Sequence, residues 1–247
     1  MAVIGTAGWS IPGTVAEDFP ADGSALERYA RVFGGVEINS SFHRSHRAAT
    51  WARWAESVPD GFRFAVKIPK TISHQLKLVD CDDLVDLFLA ESGALGDRLS
   101  ILLLQLPPKL AFEEGIALPF LGRLLNRAGS ARIACEPRHP SWFADEVDAR
   151  LAELGIARVA ADPAVVPPAA APGGATRLRY WRLHGSPVMY RSSYDDERIA
   201  AYAAAIAAAE AAGAEAWCMF DNTASSAATG DALRLAERVP AAAHPNP

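Results

Sequence analysis

Short apolar runs and longer mixed stretches alternate along the whole chain. The runs cover 3–7, 36–39, 62–68, 101–106, 132–135, 157–161, 178–184 and 216–220. They are too short for ordinary helices and predict strands covered on both faces. The intervening stretches predict helices over 24–32, 47–58, 82–92, 113–127, 142–154, 194–212 and 224–239. Gly34-Gly35, Gly155 and Gly213 stand where three of these helices would end. The Ala-rich part of 199–212 consists of strong helix formers, which predicts an outer helix rather than a low-complexity segment. Residues 165–174 are rich in Pro, Ala and Gly and predict a loop in place of a helix after the sixth strand. The segment holding Lys70, His74 and Lys77 also reads as a loop. The end of the chain, from 240, reads as a frayed tail.

Strands alternating with helices imply a parallel sheet. Eight repeats in 247 residues predict an α/β fold of the (β/α)8 TIM-barrel type, in one domain over 1–239 with a tail at 240–247. An open doubly wound sheet would usually carry a glycine-rich phosphate turn after its first strand. Gly5-Thr6-Ala7-Gly8-Trp9 lacks that pattern, and Trp9 would obstruct a pyrophosphate.

Side chains alternate between the two faces of a strand, and barrel enzymes place their chemistry at the strand C-terminal ends. Together these rules point Glu37 with Asn39, Ala65 with Lys67, Leu103 with Gln105, Ala134 with Glu136, and Tyr180 with Arg182 and His184 into a common interior. Asp162 ends the sixth strand, and Asp221-Asn222 ends the eighth. Buried charges are costly unless paired, so Glu37–Lys67 and Glu136–Arg138 pairs are expected. The competing reading is a purely structural network of the same groups.

The net charge of −5 argues against a general nucleic-acid-binding surface. Yet Arg44, Arg47, Lys67, Lys70, His74, Lys77, Arg138, His139, Arg182, His184 and Arg191 all fall at or just after strand ends. A cationic cleft in an anionic protein focuses its field on an anionic ligand, and Trp9, Phe42, Trp142, Tyr190, Tyr194 and Phe220 add rings beside it. Cys81, Cys135 and Cys218 are odd in number and widely spaced, which reads as reduced, structural thiols in a cytoplasmic protein. Neither an export signal nor a membrane span is expected. No Gly-x-Ser-x-Gly, Walker loop, His-Glu-x-x-His or Cys-x-x-Cys occurs, so no motif demands a cofactor.

Several motifs spread over the chain resemble the YecE-like family, known as domain of unknown function 72. They are Gly5-Thr6-Ala7-Gly8-Trp9, Val36-Glu37-Ile38-Asn39-Ser40-Ser41-Phe42, Phe62-Arg63-Phe64-Ala65-Val66-Lys67, Ile72-Ser73-His74 and Leu104-Gln105-Leu106-Pro107-Pro108. Beyond these come Glu136-Pro137-Arg138-His139 with Ser141-Trp142, Arg182-Leu183-His184-Gly185, and Phe220-Asp221-Asn222. The resemblance implies a TIM barrel and no established activity. Two departures stand out: His43 occupies a position where the family usually has Tyr, and Asp221 one where it usually has Asn.

The expectation from these observations is an enzyme acting on a small anionic, plausibly phosphorylated ligand by acid–base chemistry. Glu37, Glu136 and His184 are its candidate catalytic residues. Trp9, Asn39, Lys67, His74, Gln105, Arg138, His139, Trp142, Asp162, Arg182, Tyr190 and Asn222 are the candidate ligand-binding residues. One alternative is a divalent-metal barrel resembling sugar isomerases or endonucleases, with ligands among Glu37, Glu136, Asp162 and His184. The other is a non-catalytic binder of nucleotide or nucleic acid using the same cations and rings. The sequence does not predict an oligomeric state.

Overall fold

A computed structural model describes residues 2–239; the predicted tail at 240–247 lies outside them. The first half of the described chain runs β1 (Ala2–Thr6), α1 (Ala25–Ala30), β2 (Gly35–Ile38), α2 (Ala48–Glu56), β3 (Arg63–Lys67), α3 (Asp82–Ser92), β4 (Leu99–Gln105) and α4 (Glu114–Arg127). The second half runs β5 (Arg132–Glu136), α5 (Asp145–Glu153), β6 (Ala157–Arg158), β7 (Ala160–Asp162), β8 (Gly173–Gly174), β9 (Leu178–Leu183), α6 (Asp196–Ala211), β10 (Glu215–Phe220) and α7 (Ala227–Arg238).

The strands form two sheets, ordered β1-β10-β9-β7 and β2-β3-β4-β5-β6-β8. Their pairings are parallel except the short β6–β8 contact. The sheets meet at two places. At the first, Ala7 bridges Glu37 in parallel register, and the Gly8 N–H donates to the Glu37 carbonyl at 2.8 Å. At the second, the predicted sixth strand splits around Val159: β6 pairs with β5, while β7 turns to pair with β9. The result is one α/β domain of parallel sheets, as the alternating pattern requires.

The first meeting place depends on missing side chains. A Cβ on Gly5 would lie 2.2 Å from the Gly35 carbonyl oxygen, and one on Gly35 would lie 2.5 Å from Val3 Cγ1. Gly35 therefore opens a strand and lets its neighbour approach, instead of capping the helix before it. That helix starts at Ser24, whose side chain accepts from the Glu27 N–H while Glu27 reaches back, and it ends by Arg31. Three other boundaries differ from the sequence reading. Thr71–Gln75 is a turn of π-helix where a loop was expected. Residues 165–174 hold a short 3-10 turn, Pro167–Ala170, and the edge strand β8. A 3-10 turn, Pro140–Phe143, precedes α5 and takes Trp142 out of it.

Alternation along the strands creates two apolar layers. The inner one draws Val3, Leu178, Tyr180, Trp217 and Met219 from one sheet and Ala65, Ile101, Leu103, Ala134, Ala157 and Val159 from the other. Tyr180 and Trp217 stack at 6.0 Å within it. The outer layer packs the opposite strand faces, including Val36, Ile38, Val66, Leu104 and Cys135, against the helices. The cysteines are buried free thiols. No helix among the described residues is long and apolar enough to cross a membrane.

Candidate functional site

Above the inner apolar layer, at the strand C-terminal ends, lies a buried layer of charge. Its hub is Arg182, on β9, which is wholly inaccessible. Its Nε donates to Glu37 Oε2 at 2.9 Å and its Nη2 to Glu37 Oε1 at 2.6 Å, a bidentate pair. Nη1 donates to Glu136 Oε2 at 2.5 Å, and Nη2 also to Asp221 Oδ2 at 3.0 Å. The Tyr180 hydroxyl donates to Glu37 Oε2 at 3.0 Å. One guanidinium thus satisfies carboxylates from three other strand ends.

His184 continues the layer. Its Nδ1 lies 3.0 Å from Asp221 Oδ2, and its Nε2 lies 2.7 Å from Arg138 Nη2 and 3.1 Å from Glu136 Oε1. Arg138 also pairs with Glu136. Nε2 thus lies between a guanidinium, which only donates, and a carboxylate, which only accepts, while Nδ1 faces Asp221. Burial alone would raise the Glu136 carboxyl, but Arg182, Arg138 and His184 outweigh it and hold that group well below the usual carboxylate range. Asp221 is lowered in the same way: burial opposes, and Arg182, His184 and Lys67 prevail.

Lys67 stands apart. It is buried at 6% exposure at the end of β3. Among the described residues it has no carboxylate within ion-pair reach, since Glu37, the expected partner, is taken by Arg182 and Tyr180. Its ammonium instead sits 4.1 Å from the centre of the Phe42 ring. Burial, followed by repulsion from Arg182, brings its pKa down to about 8, against the partial support of Glu37, Glu136 and Asp221. Two further groups at this level lack partners among the described residues: the buried Arg138 Nε and Asn39 Oδ1. The Asn39 amide reaches Asp221 Oδ1 only at 3.5 Å.

The rim is aromatic and basic. Tyr190, in a left-handed conformation at φ 66°, sets its ring edge-on to His184 at 5.6 Å. His74 packs edge-on to Phe42 at 5.0 Å and hydrogen-bonds Ser73 Oγ at 2.9 Å; burial and the neighbouring Lys67 and Lys70 lower its pKa. Phe42 also lines an adjoining cavity of about 240 Å³ with His43, Arg44, His46, Trp51 and Lys70.

The structure thus brings together Glu37, Glu136, Arg138, Arg182 and His184, with Asn39, Lys67, Tyr190 and His74 around them. Gln105 pairs in register with Glu136 at the strand ends. Other expected members lie elsewhere. Asp162 turns outward to Arg198 and Tyr202 of α6. Asn222 faces backward, donating to the Ser192 carbonyl at 2.9 Å and to Asp231 at 2.7 Å, so Asp221 takes the inward place. Trp142 is fully buried and donates to the Leu110 carbonyl at 2.9 Å, a core role. His139 accepts from the Ser141 N–H at 3.2 Å and caps the turn. Trp9 packs edge-on to Trp54 at 5.1 Å. Of the four proposed metal ligands, Asp162 points away, and Arg182 lies between Glu37 and Glu136. Among the described residues no group of three or more His, Cys, Asp or Glu side chains is disposed to hold a metal. The sequence reading turned Tyr180 inward and put Phe42 and Asp221 at the mouth, but named none of the three among the candidate site residues.

An α/β domain with a charged layer at its strand ends defines the class. The chain belongs to the family described as "Protein of unknown function DUF72", which it matches over residues 3–247. It is 36% identical over 157 residues to the UPF0759 protein YecE of Escherichia coli, a match covering 63% of this chain and 55% of that protein. A DUF72 family protein of Enterococcus faecalis superposes with a TM-score of 0.82 at 19% identity, covering 100% of this chain and 98% of that one. One from Thermotoga maritima gives 0.78 at 23% identity, covering 96% and 98%. At these identities the structural likeness concerns the fold.

Proposed function

We propose that the two sheets are halves of one (β/α)8 barrel, and that the chain is an enzyme binding a small anionic ligand at its C-terminal mouth and moving protons there. The two meeting places between sheets and their shared inner apolar layer support the barrel. One observation carries the ligand: the charged layer satisfies its carboxylates but not all of its cations. Lys67 has no carboxylate partner, and Arg138 keeps a buried, unused N–H. An unmet buried donor such as Arg138 Nε costs about 1–3 kcal/mol, which a bound ligand would recover. A phosphate or carboxylate completes both, and a ligand hydroxyl completes Asn39 Oδ1.

The proton-moving role passes from the carboxylates to Lys67. Glu136 is ionised and clamped by two guanidiniums, so it positions Arg138 and His184. Lys67, with a pKa of about 8, changes protonation near neutral pH, where general acid–base catalysis is most effective. His184, held between Asp221 and Glu136, packs against the Arg138 guanidinium and helps fix it in place.

Thermal unfolding with and without inorganic phosphate tests the reading. Phosphate at 100 times its dissociation constant should stabilise the wild type by about 2.7 kcal/mol. Lys67→Met and Arg138→Gln should each lose most of that increment, whatever their own starting stability. An equal phosphate increment in all three proteins would place the anion elsewhere and end the proposal.

A further inference from the structure

We infer that Lys67 is a nucleophilic amine that captures the carbonyl carbon of an anionic aldehyde or ketone as an imine. The inference rests on the reading of the strand ends as an anion site and goes beyond it to covalent chemistry.

Its first support is the choice of residue. Of the 24 Lys and Arg residues only Lys67, Lys70, Lys77 and Lys109 are lysines. Ion pairs across the fold are built on arginine, from Arg31–Asp22 to Arg238–Asp196, and so are the buried pairs of the charged layer. Position 67 holds an amine in a molecule that otherwise favours guanidinium. A guanidinium stays protonated and is not a nucleophile, whereas a desolvated ammonium beside another cation releases its proton and attacks carbonyls.

Its second support is placement. Lys67 shares the inward face of β3 with Ala65, a member of the inner apolar layer. Phe42 covers the ammonium, and Arg182 is a cation that repels it. Burial and a neighbouring cation are the two conditions that activate a lysine amine, and together they leave roughly a tenth of it unprotonated at pH 7.

The chemistry balances without a further reactant. The Lys67 Nζ lone pair forms a C–N bond to the carbonyl carbon, the C=O π pair moves to oxygen, and a carbinolamine results. That oxygen leaves as water, taking both hydrogens of the neutral amine. The imine then takes one proton to become an iminium. The positive charge it carries is supported at longer range by Glu37, Glu136 and Asp221, while Arg138 faces the ligand's anionic group.

Reductive trapping tests this. The folded protein is incubated at pH 7 with glyoxylate and cyanoborohydride, which delivers hydride to an imine carbon and leaves N-carboxymethyl-lysine for mass-spectrometric mapping. Lys67 should be labelled roughly tenfold or more faster than exposed Lys77 and Lys109, because its amine is freer of protons. Inorganic phosphate should slow that labelling, and uncharged propionaldehyde should label Lys67 less well than glyoxylate. Lys67→Arg should lose the fast label. Label confined to Lys70, Lys77 and Lys109 overturns the inference. If phosphate still stabilises the wild type in that case, the anion site survives and only the covalent step falls. If phosphate has no effect either, both readings fall together.

Discussion

Replacing Lys67 by methionine keeps most of the stem and removes the charge, which isolates the cost of burying that charge. A lysine whose folded pKa lies below its unfolded value holds its proton more tightly when unfolded. Folding is therefore opposed at pH below about 8, and the opposition fades as pH rises toward 10.5. Lys67→Met is expected to stabilise the protein by about 1–3 kcal/mol at pH 7 and by much less at pH 10.5. Urea denaturation at the two pH values reads this directly, and a variant less stable than wild type at pH 7 refutes it. Arg182→Met is the opposite case. It leaves three buried carboxylates without their hub and should cost about 3–5 kcal/mol at pH 7. Glu136 and Asp221 lose the guanidinium that lowers them, so they protonate more readily and the penalty should shrink toward pH 5; a penalty independent of pH would contradict the network. Most of this layer was legible in the sequence, because alternation alone points Glu37, Lys67, Glu136, Arg182 and His184 inward. Partner choice was not. Glu37 and Lys67 lie on adjacent strands, but in register Glu37 is opposite Ala65, and the longer, forked Arg182 reaches it from the opposite sheet and binds it bidentately. Alternation carried one residue past β10 selects Asp221, which follows Met219 on the inner face, over Asn222.

At the scale of elements, the strand-and-helix order was readable from apolar runs, and the errors gather where a strand ends or breaks. The sixth strand read as continuous, but its residues divide between two sheets, and the register after Val159 sends Asp162 outward to α6. Nothing in the composition of 157–161 signals that break. The seam between β1 and β2 was likewise misread, because Gly34-Gly35 has the look of a helix cap. The close approach at Gly5 and Gly35 gives a sharp test. Gly5→Ala puts a methyl into the Gly35 carbonyl and should cost about 1–3 kcal/mol or more, as overpacking does. Gly34→Ala, one residue away with open space around it, should be close to neutral. Chemical denaturation of both variants distinguishes a tight seam from a merely adjacent pair of strands, which would tolerate either change.

Across the whole molecule, a net charge of −5 coexists with a charged layer of equal parts: Glu37, Glu136 and Asp221 against Lys67, Arg138 and Arg182. The acidic total warned against nucleic acid, and the clustering of cations at strand ends suggested an anion, but only the three-dimensional arrangement shows that the carboxylates consume most of that positive charge. The family membership agrees with the motifs that suggested it, and the fold likeness extends over the full chain at 19% identity. The even balance of charge has a further consequence. An anion entering a neutral, buried layer makes it negative, and the layer offsets this by drawing a proton from solvent, chiefly onto Lys67. Ligand affinity should therefore weaken as pH climbs past 8, and phosphate binding near that pH should consume hydrogen ions. Calorimetry in buffers of differing ionisation heat would register that uptake as a buffer-dependent enthalpy.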